Sequence, residues 1–273
     1  MGIFSFKNNI VYFPCCTAYF KFKEDFELYK EIFSKLGVSF MILDKQNCCG
    51  LEALEAGYDS DARMLARKNF DTFKEKGITG IITSSPDCYK MFLQNYPEIL
   101  PDWNIRVINL WGLILEKLKQ KSHLIKNKST EQIAYNDNCY LGRYCGIYEE
   151  PREILKILGY EIKELDNSRE NSFCCGSCGG LPRTNPELAD KIAKEKLLQA
   201  KRIGVKKMAV IGFDSYELLK RNSQEGLEIV EFSEVLGNAL GIKIRHKEHK
   251  KTPETKKLIH DKEENDEEIL LEN

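Results

Sequence analysis

The sequence predicts an α/β chain built by tandem duplication: two small, mostly parallel open sheets with helices on their faces, related by a pseudo-twofold. Three observations carry this. Short apolar runs alternate with helical periodicity along most of the chain, as in parallel sheets with crossover helices. Four blocks recur in order at a nearly constant offset: Cys16 with Cys139 (123), Cys48-Cys49-Gly50 with Cys174-Cys175-Gly176 (126), Asp87-Cys88-Tyr89 with Asp214-Ser215-Tyr216 (127), and Val107-Ile108-Asn109-Leu110 with Ile229-Val230-Glu231-Phe232 (122). The cysteines follow the ends of the expected strands, where open α/β sheets place their sites.

The elements follow in order. Ile10–Phe13 is a short apolar strand running into the first cysteines. From Phe22 a helix puts Phe26, Tyr29, Ile32, Phe33 and Leu36 on one face and stops at Gly37. Val38–Leu43 is the second strand, ending just before Cys48. A helix from about Asp59 to Lys76 stops at Gly77, and Ile78–Thr83 is the third strand. Met91–Leu100 reads as a short helix, Ile105–Leu110 as the fourth strand, and Leu113–Leu118 lies on another helix. In the second half the strands are Ile133–Tyr135, Tyr160–Leu165, Lys207–Ile211 and Leu227–Phe232. Helices are expected near Pro151–Leu158, Pro186–Ile203 and Tyr216–Asn222. A Lys-rich polar segment over Lys117–Gln132 separates the halves. The repeats are thus expected at 1–120 and 133–244, with a linker at 121–132. From about Arg245 the chain is nearly all charged and polar, so 245–273 reads as a disordered tail.

Composition narrows the function class. The chain has 273 residues, 42% hydrophobic and 30% charged, with a net charge of −1, so no electrostatic case exists for nucleic acid or an anionic membrane. No apolar run reaches the roughly 18–20 residues of a membrane span. The segment MGIFSFKNNIVYF lacks the apolar core of a signal peptide, and a cytoplasmic location is expected, any membrane association coming through partners.

Ten cysteines in such a chain point to metal or redox chemistry rather than disulfides, because six of them form adjacent pairs that bridge one another poorly. Site one is Cys16, Cys48, Cys49 and Cys88; site two is Cys139, Cys174, Cys175 and, from the same loop, Cys178. Both sets would converge at the tops of neighbouring strands. Four thiolates around one point hold either an Fe–S cluster or zinc. The four histidines, His123, His246, His249 and His260, lie in the linker and the tail and leave the core without an imidazole ligand or base. The ferredoxin run C-x2-C-x2-C-x3-C-P is missing, as is a Gly-x-Gly-x-x-Gly nucleotide fingerprint, so electrons must come through partners.

The spacing C-x31-CC-x35-S-x2-C resembles the cysteine-rich CCG domain. Tandem copies occur in heterodisulfide reductase, in its B-type subunit, and in the iron–sulfur subunits of glycolate and lactate oxidases. Further echoes are Tyr12-Phe13-Pro14, Cys139-Tyr-Leu-Gly-Arg143, and the run from Glu150 to Leu155; together they cover roughly residues 9–240. The resemblance implies one or two 4Fe-4S clusters, cubane or noncubane, in a redox subunit that works with a ferredoxin-like Fe–S subunit and a flavoprotein subunit. Relay to a thiol/disulfide or 2-hydroxy acid oxidoreductase is the implied activity.

It also exposes departures. Cys15 stands where the family has glycine, Ser85 where it has a cysteine, and Gly212 and Ser215 replace the second C-x2-C. Loss of the cysteine at 85 speaks against the disulfide cleavage carried out at the noncubane cluster of heterodisulfide reductase. Cys178 is the substitute ligand we expect in site two, with the Ser215 oxygen as a weaker alternative. Cys15 and Cys145 read as packing thiols. Asp87 and Asp214 read as Asx turns or helix caps, and Arg143 and Arg183 as surface ion pairs or counter-charges to site two. The competing class is a zinc-stabilised CCG-fold scaffold without redox activity.

Overall fold

In the computed structural model, residues 9–44 and 46–244 are described. The expected tail beyond Arg245 lies outside them.

The first half runs β1 (Ile10–Tyr12), α1 (Cys16–Phe20), α2 (Lys23–Leu36), α3 (Leu51–Glu55), α4 (Asp59–Glu75), β2 (Gly80–Ile82) and α5 (Pro86–Lys90). A π-helical turn, Met91–Asn95, continues α5 into α6 (Tyr96–Ile99), followed by β3 (Arg106–Val107) and α7 (Leu110–Gln120). The second half runs β4 (Gln132–Asn136), a π-helical turn (Tyr140–Tyr144), α8 (Glu149–Ile157), β5 (Glu161–Ile162), α9 (Leu181–Thr184) and α10 (Pro186–Arg202). It closes with β6 (Lys207–Val210), α11 (Phe213–Asn222), β7 (Glu228–Glu231) and α12 (Phe232–Ala239).

Both sheets are parallel throughout, in the orders β1-β2-β3 and β5-β4-β6-β7. Val11 also bridges Met41 in parallel, with Tyr12 N–H donating to Met41 O (2.8 Å) and Met41 N–H to Ile10 O (2.7 Å). The segment around Met41 therefore takes the place of β5, and the two halves share one strand order. Between the first and third strands of each half the order reverses, which is where open α/β sheets place their sites.

The predicted strand Val38–Leu43 shrinks to that single bridge. It is an edge segment with one neighbour, and it leaves the ladder early to deliver Cys48; its counterpart β5 has two residues. The expected strand Ile105–Leu110 also stops early, because the Asn109 side chain accepts from Trp111 N–H and Gly112 N–H (both 3.1 Å) and starts α7. At the matching place Glu231 accepts from Ser233 N–H (2.6 Å) and starts α12. α2 ends as expected, with Gly37 in the left-handed region at φ 72°.

The halves meet through equivalent elements. α1 lies on α11 and the Tyr140–Tyr144 turn lies on α5; α2 lies on α12 and α8 on α7. Phe22 stacks on Phe213, with ring centroids 5.0 Å apart and planes at 19°. The segment between the halves is tied down: Lys126 N–H and Asn127 N–H donate to Ala239 O, and Ser129 N–H to Leu158 O.

Candidate metal centres

Cys16 opens α1 just past the end of β1, and Cys15 is its cap, the Sγ accepting from Ala18 N–H at 3.2 Å. Cys15 is thus a buried thiol that caps α1. Cys48 and Cys49 sit on the loop entering α3, and Cys88 lies in the first turn of α5 beyond β2. The Ser85 Oγ accepts from Cys88 N–H (3.3 Å), capping α5, and donates to Asp87 Oδ2 at 3.4 Å. Of the two readings of Asp87, Asx turn or helix cap, the cap is corrected: that role falls to Ser85.

The four thiols of site one form a string. Cys16 Sγ lies 4.0 Å from Cys48 Sγ, and the Cys49 thiol neighbours both the Cys48 and the Cys88 thiols, all four free. The string runs inward from exposed Cys16 to buried Cys49 and Cys88. Cys48 is held well below the usual thiol range because Cys16 and Cys49 donate to it, and Gly50 N–H points at its sulfur at 3.4 Å. Cys16 is pushed up by the same contact and by burial.

Site two repeats the plan with different donors. Cys139 heads the Tyr140–Tyr144 turn, where Asn138 Oδ1 accepts from Tyr140 N–H (2.9 Å) and Leu141 N–H (3.3 Å). Cys139 Sγ lies 3.5 Å from Cys178 Sγ. That contact, with Arg143 nearby, brings Cys139 down to about 7, whereas Cys178 is pushed up by the same contact and by burial. Cys174 stands at the exposed rim, its sulfur accepting from Gly176 N–H at 3.3 Å. Cys175 Sγ is 3.4 Å from Ser215 Oγ, and Ser177 Oγ touches Cys175 (3.2 Å), Cys178 (3.6 Å) and Ser215 (2.9 Å). Ser215 therefore stands beside Cys175 as Cys88 stands beside Cys49.

Gly212 stands at the position of the other cysteine of the second motif, and there is little room for a side chain there. Its φ is 101°, and a Cβ there would lie 3.2 Å from Pro86 Cδ, so the starts of α5 and α11 abut. Around this contact Asp87 and Asp214 face each other, both half-buried. Lost hydration and then Asp214 push Asp87 up to about 8, while burial and Glu52 raise Asp214, which accepts from Thr17 Oγ1 at 3.3 Å. Neither acid caps its helix. Arg183 pairs with Glu52 (2.7 Å) across the halves, and Arg143 donates to Ser172 O (2.6 Å) beside site two. Cys145 lies outside both strings, with Lys90 the charge acting on it and burial raising its thiol to about 11.

The donor chemistry fits an iron–sulfur group: four thiols in each site, among the described residues no carboxylate or imidazole within either string, and backbone N–H groups aimed at sulfur. Among the described residues no three His, Cys, Asp or Glu side chains converge as a single ion would require. Sequence reasoning passed over the groups bracing the loops, Asn69, Asn138, Ser177 and Lys196. Asn69 and Lys196 could have been found from their offset of 127, which matches that of Asp87 and Asp214.

The family model described as a cysteine-rich domain (CCG) matches residues 10–93 and 133–212. The D-type subunit of the dihydromethanophenazine:CoB–CoM heterodisulfide reductase of Methanosarcina acetivorans is 29% identical over 252 residues, covering 87% of this chain and 60% of that protein. The probable iron-sulfur-binding oxidoreductase FadF of Bacillus subtilis is 32% identical over 174 residues, 63% of this chain and 24% of that one. Lactate utilization protein A 2 of Bacillus cereus is 25% identical over 224 residues, 77% of this chain and 90% of that one. The chain spans about 60% of the length of the heterodisulfide reductase subunits it matches. Because both halves match and together make up more than half of its residues, the chain belongs to the cysteine-rich CCG domain family.

Proposed function

We propose that this chain is an Fe–S cluster-binding redox subunit that relays electrons to or from a thiol/disulfide or 2-hydroxy acid oxidoreductase. The observation carrying the proposal is the pair of thiol strings at the two sheet switch points, Cys16-Cys48-Cys49-Cys88 and Cys139-Cys178 with Cys174 and Cys175. A bound cluster supplies one-electron chemistry there. The chain's residues hold it through sulfur, direct Gly50 and Gly176 N–H groups at sulfur, and bury the inner thiols away from water. Cluster type and number, including the 4Fe-4S assignment, belong to the proposal. So do the partners, a ferredoxin-like Fe–S subunit and a flavoprotein subunit.

The names of the relatives, with their heterodisulfide reductase and iron-sulfur-binding oxidoreductase, speak for iron–sulfur over a zinc scaffold. Among the described residues no helix is long and apolar enough to cross a membrane. The test is metal and sulfide analysis with EPR on anaerobically prepared protein. Iron with acid-labile sulfide is expected, with Cys88→Ala emptying site one and Cys178→Ala emptying site two, each costing about half of the iron. Zinc in place of iron would overturn the redox reading. Unchanged iron in Cys178→Ala would remove that residue from the ligand set.

A further inference from the structure

The pseudo-symmetry places one charged residue where its counterpart is neutral. A Cβ on Gly50 would face Ala62 O (3.4 Å) and Leu65, and one on Gly176 would face Ala189 O (2.9 Å) and Ile192. Ala62, Leu65 and Asn69 on α4 thus match Ala189, Ile192 and Lys196 on α10, each 127 residues apart. Asn69 braces its cysteine loop as a neutral amide, donating to Cys48 O (2.9 Å) and contacting Tyr96 Oη (3.0 Å). Lys196 is 0% exposed, and its Nζ donates to Ser172 Oγ at 3.0 Å.

Burial pushes the Lys196 ammonium down from its usual range, and the neighbouring Cys175 and Cys174 sulfurs and the Asp137 carboxylate act against that loss. Asp137 is already engaged by two 2.7 Å bonds from Arg152, and it also accepts from Arg169 N–H (2.8 Å). Arg143 adds a second cation on the same side through Ser172 O. Arg152 also binds Glu164 and Arg169 pairs with Glu149, so the carboxylates on this side are engaged by other cations. Lys196 has no salt bridge among the described residues, and a buried ammonium is costly unless an anion compensates it.

We propose that Lys196 is an electrostatic positioning residue that compensates an anionic cluster held by Cys139, Cys174, Cys175 and Cys178, making site two the more readily reduced of the two sites. The inference presupposes the iron–sulfur reading above. One electron from an external one-electron reductant makes the cluster one charge more negative. Iron is reduced, the reductant is oxidised, no proton moves, and a fixed positive charge favours the product. At site one the matching Asn69 offers no such charge.

The test is a dye-mediated redox titration followed by EPR on the full chain, with iron counted per chain. Cys88→Ala identifies the site-one signal. In wild type the site-two signal is expected at the higher potential, a comparison that needs no Lys196 variant. Lys196→Gln, which keeps a polar group toward Ser172, and Lys196→Met are both expected to shift the site-two signal to lower potential while leaving site one unmoved. A site-two potential at or below that of site one, or unmoved potentials in both variants with iron intact, would overturn the inference. Wild-type iron confined to site one would overturn it as well. Wild type without any iron would instead bring down the iron–sulfur reading itself.

Discussion

At the scale of single residues, buried polar groups are settled by a few close partners. Glu231 is fully buried, accepts from Tyr29 Oη (3.1 Å) and Ser233 N–H, and has its carboxyl raised to about 8 by lost hydration and then by Asp25. Unfolded, the same carboxyl ionises near 4.5. The native state therefore keeps a proton that the unfolded state has lost between those values. Glu231's contribution to stability is full below about pH 4.5 and is lost as pH rises through about 8. Denaturant titrations across that window are expected to lose up to about 5 kcal/mol from this group, and Glu231→Gln to flatten the slope. An unchanged slope in the variant would mean that Glu231 is ionised in the fold. The sequence identified position 231 through its match with Asn109, but not its role as a cap. A carboxylate and an amide serve equally as acceptors, and only the buried surroundings distinguish the charge state.

At the scale of elements, the cysteine loops depend on two glycines packed against the helices beneath them. Gly50 and Gly176 have φ of 94° and 88°, a region costly for side chains. The added Cβ would lie 2.9 Å from Ala189 O at Gly176 but 3.4 Å from Ala62 O at Gly50. Gly176→Ala is therefore expected to lower stability by roughly 2–4 kcal/mol and Gly50→Ala by roughly 1–2 kcal/mol, read from chemical denaturation. Equal losses would show that the loop over α10 relaxes freely. Both glycines were legible from the Cys-Cys-Gly repeat. The difference between them was not, because it depends on how closely each helix approaches its loop.

At the scale of the whole molecule, the halves depend on each other. Phe22 is buried on Phe213 and meets Tyr216 edge-on at 6.0 Å, while Tyr29 reaches across to Glu231. Phe22→Ala is expected to cost about 3 kcal/mol. Because the contact joins the halves, near-UV and far-UV CD melts should fall together in one transition. Two separated transitions would mean that each half unfolds alone.

The sequence by itself determined the α/β class, the duplication, most helices, and the cysteines of both strings. Those features are written in local periodicity and in spacing that survives insertion. It also suggested Cys15 and Cys145 as packing thiols and Cys178 as a ligand of site two. In the structure Cys15 caps α1, Cys145 lies outside the strings and Cys178 Sγ is 3.5 Å from Cys139 Sγ, while ligation itself awaits the iron count. Only the tertiary structure decided the rest: the edge strand reduced to one bridge at Met41, Ser85 spent as a cap, Gly212 cleared for Pro86, and Lys196 buried where its counterpart is Asn69. The physical reason is common to all four. Each is fixed by what approaches from a distant part of the chain, and neither period nor motif spacing encodes the distance of that approach.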